Sequence, residues 1–264
     1  MVDNKFNIAI LSTVINFDLY DKSSPFFPQD VQKYVIDGRN GMHGLKSIFY
    51  MMKMLKNKNI EWLIMADEDV LFQDSEIVFD IINKMKSEDY TVCGVRDGGM
   101  IAHRTYNPYL INTFFSILNF KELEKIWNKD EILKNDYSLE NEFDDDLTNL
   151  KWNFDTKSLY EPYYCFYLWL RRKNKKFLFL DTEMNEDQIA NSITYNNRVF
   201  LHHTWFARAY GKNDEQTKRI NVLFDLLNSK DSKTSDPVIF KDQTFLLIQK
   251  IKKTYRKILM RLKR

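Results

Sequence analysis

The stretch from Trp62 to Phe72 limits the possible folds more than any other part of the chain. Trp62-Leu63-Ile64-Met65-Ala66 is an unbroken apolar run of strand length that stops at Asp67-Glu68-Asp69, after which Val70-Leu71-Phe72 turns apolar again. Continuous rather than alternating apolar character is what a strand buried on both faces requires. Three adjacent carboxylates cannot be sealed into such a core, so they belong at a solvated strand end or on a cation. Upstream, Phe6 to Thr13 and Gln32 to Ile36 read as strands, and a helix is predicted from Leu45 to about Asn57, with Ile48, Met51, Met52 and Leu55 on one face. Strand, loop, helix, strand with short connections begins a parallel α/β sheet. Ligands of open sheets bind beyond the carboxyl ends of the strands, where the acidic triplet falls.

The triplet itself is weak evidence. With 24 Asp in the chain, chance alone supplies about two Asp-x-Asp patterns, and two occur, Asp67/Asp69 and Asp144/Asp146. Its position after a buried strand is what gives the first one weight.

Between the second strand and its helix, Asp37 to Gly44 holds three of the seven glycines, a loop able to approach a ligand closely. Beyond the triplet, Ser75 is placed to cap a helix reaching Met85, and Tyr90 to Val95 reads as the next strand. The polar segment after it, Arg96 to Pro108, is a candidate substrate loop through Arg96, His103, Arg104 and Asn107; the alternative is an ordinary turn with one buried His. Residues 121–158 are acidic and aromatic, and Glu140 to Asp146 reads as a solvated charge run. A helix is predicted from Tyr160-Glu161-Pro162-Tyr163 to Asn174, followed by a strand from Phe177 to Leu180. A late strand from Arg198 delivers His202 and His203 to opposite faces, so one of them at most joins a given site. Two carboxylates and one imidazole suit an open Mn²⁺ or Mg²⁺ site completed by substrate oxygens.

Composition sets outer bounds. At 264 residues with 44% hydrophobic and 15% aromatic side chains, the chain can bury a large core, and one catalytic-size domain over residues 1–228 is expected. Cys93 and Cys165 sit in apolar surroundings without disulfide or zinc spacing, which points to a reducing, cytoplasmic setting. The apolar segment Ile8 to Leu11 is too short for a signal peptide, and no run approaches the length of a membrane span.

These features together resemble the metal-dependent GT-A glycosyltransferases: the triplet after its apolar strand, Asp37 on the second strand, the helix leading into Phe177 to Leu180, and His202/His203 followed by Trp205. The resemblance implies a Rossmann-like, mixed but mainly parallel sheet flanked by helices. It also implies transfer of a sugar from a nucleotide-diphosphate donor, such as a UDP-sugar, to a glycan or lipid-linked acceptor in surface polysaccharide or lipooligosaccharide synthesis. Asp69 and Asp67 would hold Mn²⁺ or Mg²⁺ with His203 completing the set, while Thr13, Asp37, Asp67 and Glu68 would face the nucleotide. For an inverting enzyme the acceptor's base would be Glu161 or one of Asp144 to Asp146; a retaining enzyme would need none.

The charge distribution adds a second theme. Residues 241–264 hold nine Lys/Arg and one Asp, while the net charge is only +2. Leu247, Ile248, Ile251, Tyr255, Ile258, Leu259 and Leu262 share one helical arc, and basic residues fill the other. An amphipathic basic helix over 247–264, joined by a polar linker at 229–240, is expected to lie on an anionic membrane surface; a phosphate-backbone binder would not need the apolar stripe, so nucleic acid is not expected. The competing readings are a helix packed on its own domain, a sugar-nucleotide pyrophosphorylase, and a non-catalytic docking protein. Against the pyrophosphorylase, Ser12 to Asp21 lacks the glycines and bases of a phosphate loop.

Overall fold

The computed structural model describes residues 7–227 and 236–262. The first half of the chain builds a sheet from strands β1 (Ile8–Val14), β2 (Gln32–Asp37), β3 (Trp62–Ala66) and β5 (Tyr90–Arg96), with a short β4 (Val70–Phe72) leaving it after the triplet. Helices α1 (Phe17–Ser23), α2 (Leu45–Leu55) and α3 (Ile77–Ser87) connect them. The hairpin β6 (Gly98–Ile101) and β7 (Arg104–Thr105) then leads into the long β8 (Ile111–Asn119). Short helices α4 (Phe120–Ile126) and α5 (Lys129–Leu133) precede an irregular segment, after which come α6 (Tyr164–Arg172) and β9 (Lys176–Phe179). Strands β10 (Asp181–Met184), β11 (Asn191–Tyr195) and β12 (Arg198–His203) form a meander, and α7 (Asp214–Leu226), β13 (Val238–Phe240) and α8 (Gln243–Leu262) finish the described chain.

The central sheet has seven strands in the order β13-β2-β1-β3-β8-β5-β9. Its pairings are parallel except on either side of β8, which runs antiparallel to both β3 and β5. The expected mixed, mainly parallel α/β architecture is therefore present. Alternation along the buried strands divides the core in two: Ile8, Ile10, Trp62 and Ile64 join α3 and the meander on one face, whereas Ala9, Leu11, Leu63 and Met65 join α2 and α6 on the other. Helices thus cover both faces. Because β2 lies on one side of β1 and β3 on the other, the direction of winding reverses at β1, and a crevice opens beyond its carboxyl end.

Some boundaries differ from the sequence reading. The helix expected from Tyr160 begins at Tyr164, and Glu161 to Tyr163 form a turn in which the Tyr164 N–H donates to the Glu161 carbonyl at 3.0 Å. Ser75 does not cap α3, whose N-terminal neighbour is Glu76 without a side-chain cap. The linker expected at 229–240 is shorter at its C-terminal end, because Val238–Phe240 pairs in parallel with β2; residues 228–235 lie outside the described residues. The four-stranded antiparallel sheet β10-β11-β12-β4 has no counterpart in the sequence reading. No helix among the described residues is long and apolar enough to cross a membrane.

Candidate functional site

A cavity of about 500 Å³ occupies the crevice, lined among others by Thr13, Asp67, Asp69, Glu161, His203 and Arg208. Its floor is the end of β3. The Asp67 N–H donates to the Phe114 carbonyl of β8 at 2.9 Å, and the Val70 N–H returns to the Asp67 carbonyl at 3.2 Å, so the triplet is a tight turn between two sheets. The meander determines what meets it. Antiparallel pairing sets His203 of β12 opposite Val70, and the Thr204 N–H donates to the Asp69 carbonyl at 3.0 Å. His203 Nε2 then lies 3.4 Å from Asp69 Oδ1, with both side chains nearly inaccessible.

The imidazole of His203 is clamped between rings, stacked on Phe114 at 4.0 Å and tilted against Trp205 at 4.2 Å. Its Nδ1 is buried without a partner among the described residues. His202 faces the other way, held by Ser192 Oγ and Gln73 Oε1 at 2.8 and 2.9 Å. Strand alternation therefore turns His203, and not His202, into the cavity.

The three carboxylates of the triplet take different roles. Glu68 Oε1 accepts from the backbone N–H groups of Ile15 and Asn16, both at 3.0 Å, and ties the triplet to the end of β1. Burial, then the charge of Asp69, pushes its carboxyl up to about 7 against the pull of those amides. Asp67 is raised well above the usual carboxylate range, by burial first and then by Glu68 and Asp69, with Arg208 opposing. Two acids this unfavourable in their charged form mark a place where a cation would relieve them. Among the described residues no three Asp, Glu, His or Cys side chains are grouped to hold a metal on their own. Asp69 and His203 are in contact, and Asp67 lines the same cavity.

Opposite chemistry stands on the cavity wall. Arg208 and His43 line it and are exposed, with burial, Arg208 and Lys46 lowering the affinity of His43 for its proton. Arg208 belongs to a segment in an unusual conformation, since Trp205 and Phe206 both have left-handed backbones at φ 59° and 61°. Bulky residues take that region only under constraint. The constraint is visible: Arg219 Nη2 donates to the Thr204 and Trp205 carbonyls, and Asn16 Nδ2 donates to those of Ala207 and Tyr210.

Behind the cavity lies a charge hub that the sequence reading did not single out. Asp97, fully buried, accepts two hydrogen bonds from Arg104 at 2.7 Å, one from Asn112 at 2.7 Å, and one each from the hydroxyls of Tyr163 and Tyr164 at 3.1 and 2.5 Å. Arg104 Nη2 reaches on to Glu161 Oε1 at 2.9 Å, so the hub fixes the acid that faces the cavity. A polar residue at the end of a buried strand was the available signal.

Other expected site residues fall elsewhere. Asp37 is engaged by Arg39 through two side-chain bonds at 2.8 and 2.6 Å, which hold its carboxyl below the ordinary value, and it does not line the cavity. Arg96 stacks on Phe179 and binds the Pro108 carbonyl and Asp145, anchoring the acidic segment, and it does not line the cavity. Asn107 is buried and donates to the Thr156 and Ser158 carbonyls, a structural role. His103 is exposed and packs edge-on against Trp205 at 4.5 Å, beside the cavity rather than in its lining. Asp145 is removed from the choice of bases: burial raises its carboxyl, but Arg171 and Arg96 pull it further down, and it does not reach the cavity. The order of the strands, the cavity at the winding reversal and the Asp69–His203 pair define the class, an α/β protein with an acidic cavity at the sheet's carboxyl edge. No protein-family model matches the chain, and a search of curated proteins finds no significant match.

Proposed function

We propose that the protein is a metal-dependent glycosyltransferase of the GT-A type, taking a sugar from a nucleotide-diphosphate donor to a glycan or lipid-linked acceptor. The observation that carries this reading is the Asp69–His203 pair, brought to 3.4 Å by the β12–β4 pairing in the crevice where an open α/β sheet binds its ligand. Asp69, His203 and Asp67 would hold Mn²⁺ or Mg²⁺, whose Lewis acidity offsets charge that develops on a departing diphosphate. Arg208 adds positive charge on the same wall, and Thr13 faces the cavity from the end of β1. Glu161 is the carboxylate positioned to take a proton from an acceptor hydroxyl, and Arg104 keeps it oriented. Tyr160, 63% exposed and stacked on Tyr106 at 4.1 Å, places an aromatic face next to Glu161 for a sugar ring to lie on.

Calorimetric titration of the full chain with UDP and with GDP, each with Mn²⁺ and with EDTA, tests the reading. Binding of one nucleotide in Mn²⁺ and none in EDTA is the expected result; equal binding in both would remove the metal from the proposal. A second expectation concerns chemistry alone. Glu161→Gln keeps nucleotide binding but slows transfer by roughly 10²- to 10⁴-fold, the usual contribution of a general base. Transfer at the wild-type rate in that variant would assign the proton to another group.

A further inference from the structure

The last helix sits on its own domain the wrong way round for a soluble protein. Its beginning docks: Phe245 packs into the core face formed with α2 and α6, and the Asp242 carboxylate caps the helix by accepting from the Phe245 N–H at 2.8 Å. Further along, the side turned to the domain is the polar one. Leu246, Lys250, Lys253 and Thr254 border a depression against Asn40, and Lys253 Nζ donates to Asn40 Oδ1 at 2.9 Å. Leu247, Ile248, Ile251, Tyr255 and Ile258 are left facing outward, each 44–61% exposed. An amphipathic helix that covered its own domain would present the opposite face. A continuous apolar stripe of this kind marks an interaction surface.

A second observation, on other elements, indicates the partner's charge. Beside the first turn of α8 a groove of about 480 Å³ is lined by Phe49, Tyr50 and Trp127 together with Lys46, Lys53, Lys56 and Lys129. Lys46, Lys53 and Lys129 lie over the rings of Phe245, Tyr50 and Phe49 at 5.1–5.8 Å. All four lysines are exposed. Asp242, which also lines the groove, is committed to the helix cap. Four ammonium groups around an aromatic-walled depression suit a phosphate whose attached chain is apolar.

We propose that α8 and this groove form one docking surface for an anionic phospholipid bilayer, the helix laying its apolar stripe into the headgroup boundary and the groove receiving a lipid phosphate. The physics is additive: apolar burial gives adhesion, and each basic residue near the surface strengthens the preference for anionic lipid. Lys252 on the helix extends the same charge. The surface does not depend on the transferase reading, since none of its residues lines the acidic cavity.

The test is sedimentation of the full chain with vesicles of phosphatidylcholine alone and with phosphatidylglycerol added. Anionic vesicles are expected to bind at least about tenfold more protein, and salt to weaken that binding. Lys46→Glu/Lys53→Glu should lose the anionic preference, and Leu247→Asp/Ile251→Asp should lose vesicle binding altogether; both alter exposed positions, so unchanged melting curves verify that they fold. Equal binding to neutral vesicles, no binding to either, or variants that bind like the wild type would each overturn the proposal. Inorganic phosphate at the concentration of lipid phosphate should not release the protein; release would identify a soluble-phosphate site instead. A dimer in sedimentation velocity that Leu247→Asp/Ile251→Asp abolishes, with vesicle binding intact, would give the stripe to a second copy of the chain.

Discussion

Asp69→Asn is expected to reduce Mn²⁺-dependent nucleotide binding by at least about 100-fold, or roughly 2.8 kcal/mol, while the metal-free protein melts no lower than the wild type. The two halves of this result have one cause. Asp69 contributes to the elevated proton affinities of both Asp67 and Glu68, so its charge works against folding as long as no cation is present. Removing the charge relieves that repulsion, and the backbone bond from the Thr204 N–H to the Asp69 carbonyl is untouched by the substitution. A site that is destabilising without its ligand is what a binding function predicts. If the triplet were only a structural turn, the variant would show no such separation of stability from binding. Wild-type nucleotide affinity in the presence of Mn²⁺ would remove Asp69 from the metal set, and a lowered melting temperature would show that its charge supports the fold.

The parallel half of the fold was legible because buried parallel strands leave a strong local trace. Ile8 to Leu11, Tyr34 to Ile36 and Leu63 to Met65 are apolar on both faces, and each is followed by turn residues and a helical period. The antiparallel sheet left no such trace. Asp181-Thr182-Glu183-Met184 and Asn191-Ser192-Ile193-Thr194-Tyr195 are short and polar on one face, and their meander joins the rest of the fold through the pairing of β12 with β4, more than a hundred positions away. The same contrast governs the site. Asp69 could be found from its own strand, and His203 from its neighbour's alternation, but their proximity depends on the β12–β4 pairing. Asp37 and Arg96 lie outside the cavity yet stand out in the sequence for a related reason: a charged residue at a strand end is conspicuous whether it lines the cavity or, as here, pairs with Arg39 and Asp145. The amphipathic period of the last helix was plain, but which face it turned to the domain was not, because that depends on the docking of Phe245.

Asp97→Ala is expected to cost about 3–5 kcal/mol of unfolding free energy, the largest stability effect of any single substitution near the site. The carboxylate receives five hydrogen bonds in a position with no solvent access, and its removal leaves the Arg104 guanidinium buried with Glu161 as its remaining carboxylate partner. Asp97→Asn separates charge from shape. With the amide oxygen in the Oδ1 position, Arg104 Nε and Asn112 keep their acceptor, and the hydroxyls of Tyr163 and Tyr164 can turn to accept from the amide NH2 in the Oδ2 position, which leaves Arg104 Nη2 as the one donor facing a donor. Asn should therefore recover part of the loss seen with Ala, and what it does not recover reports the missing charge beside Arg104. Arg104→Met in the Asp97→Ala background should add much less than Arg104→Met alone, because the buried charge that makes the first substitution costly is then gone. Urea unfolding of the four proteins measures this cycle. An Asp97→Ala variant within about 1 kcal/mol of wild type would mean that water enters to solvate Arg104, and that Glu161 is oriented by something other than this hub.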